Sequence, residues 1–223
     1  MALKVFPSEN PVAALVLAPG AGAGSSSPFM VRAASGLAAR GISTATFDFQ
    51  YVTSGRRVPD RPAVLEERWR HAMAAAGPAF EDLPLFIGGK SMGGRIASQV
   101  AAQGCDGIAG LVFLGYPLHP PGRPEQRRDA HLPSVAVPML FVQGSRDTFG
   151  TAAEIRALLP SLTGATLHEV AGGDHSLKVG GRGAPAPDDV LSTVLEAIRD
   201  WIVTSIAAAE GRAQPRPSGA DWQ

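Results

Sequence analysis

The segment Gly89-Lys90-Ser91-Met92-Gly93 matches the pattern Gly-x-Ser-x-Gly. Glycine and serine are abundant in this chain, so the pattern alone carries little weight. Its setting carries more. An apolar run, Leu85–Gly88, ends just before it, and a helical stretch, Ser91–Gln103, begins within it. In a strand-turn-helix of this kind a serine sits on a tight, strained turn where bulky neighbours would clash. The turn lifts Oγ clear of the sheet. It also leaves the Met92 N–H at the helix N-terminus, facing any developing oxyanion. The simpler alternative is a glycine-rich helix start with an ordinary N-cap serine.

A serine hydroxyl needs a base to become a nucleophile, and the base needs an acid to orient it. Five histidines are available: His71, His119, His131, His168 and His175. His175 lies in the glycine-rich loop Ala171–Ser176, directly after a β-rich run. His168 falls inside that run and His71 on a helix, while His119 and His131 occupy a proline-rich loop. Asp147 follows the apolar run Leu140–Gln143 in the tight turn Gly144-Ser145-Arg146-Asp147. Asp174 is the rival acid, but as the sequence neighbour of His175 it is poorly placed to orient that ring. Ser91, Asp147 and His175 thus follow three different strands, in the order Ser, Asp, His.

The elements that must position them alternate along the chain. Strands are expected at Leu3–Phe6, Val12–Ala18, Thr44–Phe49, Leu85–Gly88, Ile108–Leu114, Pro138–Gln143 and Thr166–Val170. Between them fall helices ending near Arg40, over Ala63–Ala76 with a Gly77-Pro78 stop, over Ser91–Gln103 and over Thr151–Leu159; a last helix spans about Asp188–Ala208. The strands are nearly continuous apolar runs, as when helices cover both sheet faces. This predicts an α/β fold, a doubly wound, mostly parallel sheet with helices on both faces. Strand ends converge on one edge of such a sheet, and ligands bind there. Residues 1–210 are expected to form one domain, and 211–223 a disordered C-terminal tail.

Composition bounds the function classes. In 223 residues, 45% are apolar, enough for one sizeable core. Twenty Lys+Arg balance twenty Asp+Glu, so no net field favours nucleic acid or acidic membrane. A single cysteine, Cys105, rules out an internal disulfide framework and multi-cysteine zinc modules. No apolar run reaches the ~18 residues of a membrane span. Val12–Ala18 runs straight into a glycine loop behind Pro7, Glu9 and Pro11, so it reads as a strand rather than a cleaved signal. A cytoplasmic protein is expected, with neither nucleic-acid nor membrane partners.

Three segments carry a closer resemblance: Gly89–Arg95, Gly115–Gly122 and Gly173–Ser176. Together they resemble one branch of the α/β-hydrolase superfamily over roughly residues 12–205. That branch holds small dienelactone-hydrolase-like proteins of bacteria and the hydrolase-like domain of a subunit of the NSL chromatin-acetylation complex. The resemblance implies a compact α/β-hydrolase fold with a serine triad, and no particular substrate. Two departures stand out. Dienelactone hydrolases proper use a cysteine nucleophile where this chain has Ser91. The branch also reads His-Gly-Ala-Gly where this chain has Pro19-Gly20-Ala21-Gly22. The Ala21 N–H could still join Met92 in an oxyanion hole, but nothing obvious orders the loop.

Other readings fail or stay subordinate. Gly89-Lys90-Ser91 is not a phosphate loop, since the glycine required five positions earlier is Pro84. No His-Glu-x-x-His or comparable metal cluster exists, and neither metal nor cofactor is expected. Cys105 reads as a bystander. Lys90 could favour acidic substrates or assist deprotonation; a salt bridge or solvent is its expected environment. The proline-rich segment Tyr116–Ser134 reads as a short rigid loop rather than a cap domain, with Tyr51, Tyr116 and His119 as candidate walls of a lightly covered site. The expected function is a serine hydrolase of an ester or similarly activated acyl compound, with a small-molecule substrate. The alternative is a hydrolase-fold interaction scaffold that keeps its triad only by inheritance.

Overall fold

The computed structural model describes residues 2–213. Seven strands build one sheet: β1 (Lys4–Phe6), β2 (Ala13–Ala18), β3 (Ile42–Thr46), β4 (Leu85–Lys90), β5 (Gly110–Leu114), β6 (Met139–Gly144) and β7 (Ala165–Val170). Their spatial order is β1-β3-β2-β4-β5-β6-β7. Only β1 runs antiparallel, against β3; every other pairing is parallel. The helices are α1 (Pro28–Ala38), α2 (Gln50–Thr53), α3 (Pro62–Ala79), α4 (Met92–Ala101), α5 (Ala152–Leu158) and α6 (Pro187–Ala213).

Alternation along buried strands sends successive side chains to opposite faces, and two separate cores result. Val16, Ile87, Phe113 and Phe141 pack with Trp69 of α3, Ile96 of α4 and Ile155 of α5. Leu15, Phe86, Val112 and Val142 pack on the other face with Met30 of α1 and Ile198 of α6. Sheet and helices therefore form the expected doubly wound α/β fold. Residues 116–134 supply no cap domain, only irregular chain and one short turn of helix, Leu132–Ser134. Among the described residues no helix is long and apolar enough to cross a membrane.

Several boundaries differ from the expectation. β3 leaves the sheet at Thr46 rather than Phe49, because Phe47 turns edge-on to Trp69, 4.8 Å between centroids, and both Phe47 and Phe49 go into the core. The polar stretch after it holds α2. Helix α3 continues through Gly77-Pro78 to Ala79: a proline in the last turn removes one ladder bond, and Phe80 closes the end with its N–H on the Ala76 and Gly77 carbonyls. Helix α6 likewise passes Ala208 and Gly211, where one exposed glycine costs only about 1 kcal/mol. Residues 211–213 of the expected tail are thus helical, and residues 214–223 lie outside the described residues.

Candidate active site

Strand β4 delivers Ser91 to the edge where the parallel strands end. Ser91 has φ 48° and ψ −117°, a backbone conformation unusual for a residue with a Cβ and a reservoir of strain. Its N–H is fixed to the Leu114 carbonyl at the end of β5 (3.1 Å), and its own carbonyl starts α4 by accepting from the Arg95 N–H (3.1 Å). The flanking glycines are obligatory for packing. A Cβ on Gly89, at φ 150°, would lie 2.2 Å from the Ala18 oxygen. One on Gly93 would lie 2.4 Å from the same oxygen and 2.6 Å from that of Pro19. The motif thus exists because the turn is pressed against the end of β2. Trp69 braces it from α3 by donating its indole N–H to the Gly93 carbonyl (3.0 Å).

Two other strand ends meet Ser91 there. His175 Nε2 lies 2.8 Å from Ser91 Oγ, and its Nδ1 lies 2.8 Å from Asp147 Oδ2. An ionised carboxylate can only accept, so Nδ1 carries the proton and Nε2 is left to accept from the serine hydroxyl. Asp147 is 1% exposed. Its Oδ1 accepts the Phe149 N–H (2.8 Å), and its Oδ2 also accepts from Gln143 Nε2 (2.9 Å). Asp174 does something else: its Oδ1 accepts the N–H groups of Ser176 (2.7 Å) and Lys178 (2.9 Å), closing the turn that carries His175.

The sequence reading missed two supports of this arrangement. Gln143, fully buried at the end of β6, donates to Asp147 and to the Gly150 carbonyl (2.6 Å) and accepts the Tyr116 N–H (2.7 Å). The one signal available was a polar residue closing an otherwise apolar strand. Phe149 stacks on the His175 ring, 4.2 Å between centroids at 30°. No spacing rule announces that contact.

The glycine loop before α1 is ordered without the branch's histidine. Gly22 donates its N–H to the Tyr51 hydroxyl (3.2 Å), and Ser25 donates both its N–H (2.6 Å) and its hydroxyl (3.1 Å) to the Asp48 carboxylate. Gly20 rests against the elbow, where a Cβ would stand 3.6 Å from Ser91 Cβ. Ala21 and Met92 both border the same cleft as Ser91. Met92 opens α4, so its N–H has no partner within the helix.

The cleft over Ser91 and His175 has a volume of about 770 Å³. Phe29, Pro59, Arg95, Pro117 and Phe149 form much of its wall. Tyr51, Tyr116 and His119 do not, which corrects the expectation for all three. Tyr51 is fully buried under the glycine loop, and that burial pushes its phenol up from the ordinary range. Tyr116 is equally enclosed, and its hydroxyl donates to the Arg128 carbonyl (2.8 Å). His119 is turned away, with Nε2 3.1 Å from Glu154 Oε1 at the start of α5. Large amphipathic residues in loops after strands suggested walls; here they hold the loops that form the walls.

The remaining histidines and Cys105 fall outside the cleft. His131 Nε2 meets the buried Ser98 Oγ at 2.8 Å. Burial lowers the imidazole of His168 on β7, which lies in a separate groove. Cys105 Sγ lies 3.0 Å from the Ala101 carbonyl at the end of α4. Lys90 contradicts its expected place in a salt bridge or solvent. None of the ion pairs among the described residues includes it, and its ammonium turns inward to the His175 carbonyl. Among the described residues no group of three or more His, Cys, Asp or Glu side chains is placed to hold a metal.

Known proteins share this architecture. Residues 11–203 match the model of the alpha/beta hydrolase domain family. The protein Est1E from Butyrivibrio proteoclasticus, solved with ferulic acid, superposes with a TM-score of 0.73 at 16% identity, over 92% of this chain and 95% of that one. The dienelactone hydrolase of Anabaena variabilis gives a TM-score of 0.71 at 19% identity, over 91% of this chain and 90% of that one. An alpha-beta serine hydrolase homologue from Coxiella burnetii gives 0.67 at 16% identity, over 92% and 90%. At these identities the structures testify to the fold, and the family match spans most of the chain. The chain belongs to the α/β-hydrolase family.

Proposed function

We propose that this protein is a serine hydrolase of small esters or similarly activated acyl compounds, working through an acyl-enzyme. The observation that carries the reading is the unbroken relay from Asp147 through His175 to Ser91, with both contacts at 2.8 Å. A strained serine backbone at the same point supports it, since such strain persists only where the surroundings over-determine it. A scaffold that merely inherited the fold would have no use for that cost.

In this reading Ser91 Oγ attacks the substrate carbonyl while His175 Nε2 takes its proton. Asp147 holds the imidazolium through Nδ1–H and also accepts from Phe149 N–H and Gln143, so its position is fixed. The Met92 N–H, at the α4 N-terminus, and the Ala21 N–H receive the negative oxygen. His175 then returns the proton to the leaving alkoxide, giving the acyl-serine and an alcohol. Water repeats the sequence with His175 as base, releasing the acid and restoring Ser91. Side chains and water suffice, with no cofactor in either half.

Stopped-flow hydrolysis of p-nitrophenyl acetate tests the two-step course. The expected result is a burst of p-nitrophenol close to one equivalent of enzyme, followed by slower turnover. Release no faster than that of the Ser91→Ala protein would overturn the reading.

A further inference from the structure

Lys90 immediately precedes Ser91, yet the mechanism above leaves it without a task. Its stem runs beneath the glycine loop, where a Cβ on Gly20 would lie 3.6 Å from Lys90 Cγ. Its Nζ ends over Gly115, where a Cβ would lie 2.9 Å away, and donates to the main-chain carbonyl of His175. The Phe29 ring lies on another side, 6.0 Å from Nζ to centroid. One side chain therefore touches the end of β4, the glycine loop, the loop after β5 and the histidine loop. Withdrawing an ammonium from water without a carboxylate partner is costly. A salt bridge at the surface would have avoided that cost, so the inward placement calls for a role.

We propose that Lys90 is a positioning residue for His175: its ammonium clamps the main chain of the histidine loop to the strand end that presents Ser91. The proposal rests on the triad reading above. The clamp acts through the backbone of His175, which leaves both ring nitrogens to Ser91 and Asp147. It also explains why a long cationic side chain stands where the elbow pattern asks only for some residue.

The charged groups around Nζ fix when the clamp carries its charge. Asp147, on the loop after β6, and Asp174, on the histidine loop, attract it; Arg32, Asp60, Arg95, Arg128 and Lys178 line the same cleft. Burial outweighs the two carboxylates and pushes the ammonium down to about 8. The charge is thus present at neutral pH and is lost as pH rises through that value. Without it, a neutral amine holds the carbonyl more weakly.

The test is the pH profile of kcat/KM from pH 5 to 10 on an activated ester, for the wild type, Lys90→Met and Lys90→Arg. The wild type is expected to lose activity above about pH 8. Lys90→Met keeps the apolar stem without the charge. It should lower kcat roughly 10- to 100-fold at pH 7.5, the scale of a misplaced catalytic group, with KM little changed. Its alkaline fall should vanish. Lys90→Arg, which stays charged throughout, should lack the alkaline fall. A Lys90→Met protein with wild-type kcat at pH 7.5, or with its alkaline fall at the wild-type position, would overturn the proposal. If Lys90→Met does not fold, a wild-type profile flat to pH 10, or an alkaline fall retained in Lys90→Arg, overturns it equally. Ser91→Ala in the same assay keeps the two claims apart: turnover surviving there defeats the triad reading itself, whereas an unchanged alkaline fall in Lys90→Met, in an enzyme that Ser91→Ala silences, defeats only the role of Lys90.

Discussion

Replacing Ser91 by alanine is expected to lower kcat on an activated ester by about 10⁶-fold, the scale seen when a triad nucleophile is removed. The size follows from the chemistry. Without Oγ there is no acyl-enzyme, and His175 and the two oxyanion donors can only assist direct attack by water. Alanine is the right probe because it tolerates φ 48° no worse than serine does, so the elbow keeps its shape. Urea unfolding should therefore show little change while activity disappears. Activity within tenfold of the wild type would assign the hydrolysis to other residues.

Asp147→Asn carries the second largest expected effect, a fall in kcat of up to ~10⁴-fold. The carboxamide can turn its NH₂ toward His175 Nδ1, which puts the ring proton on Nε2 and leaves no acceptor for the serine hydroxyl. The amide oxygen can still accept the Phe149 N–H, and Gln143 Nε2, which loses its acceptor at the turned amide, keeps the Gly150 and Tyr116 carbonyls, so the substitution changes the tautomer rather than the loop. Asp174→Asn serves as the contrast. Its amide oxygen can still accept from Ser176 and Lys178, so the turn survives, and activity should stay within about tenfold of the wild type. Steady-state kinetics on both variants decide the matter. Reversed sensitivities would move the acid role to Asp174.

Much of the fold was legible because burial on both faces writes strands as apolar runs, and because glycine ends helices. What failed were the places where local signals meet tertiary demands. Gly77-Pro78 reads as a stop but sits in a last turn that tolerates it. Phe47 and Phe49 read as strand but leave the sheet to reach Trp69 and the core. Ser91, Asp147 and His175 were legible because strand ends of a parallel sheet meet at one edge, so motifs far apart in sequence share an address. The walls were not. Tyr51 and Tyr116 were chosen as large amphipathic residues near that edge, yet each spends its hydroxyl on a loop. Phe149 and Gln143, which do touch the relay, carry no pattern a single sequence exposes. Lys90 shows the limit from the other side: its position in the motif was plain, but its direction depended on Gly115 and the His175 carbonyl, one residue past β5 and in the loop after β7.

His175 is expected to activate Ser91 as a nucleophile. Covalent labelling with a fluorophosphonate, read by intact mass and by peptide mapping, tests it most directly, because the probe reacts with an activated serine and asks nothing about the natural substrate. One adduct per chain is expected, on the peptide that contains Ser91, lost in Ser91→Ala and slowed strongly in Asp147→Asn. Folded wild-type protein that stays unlabelled, or that carries the adduct on a different residue, would contradict it.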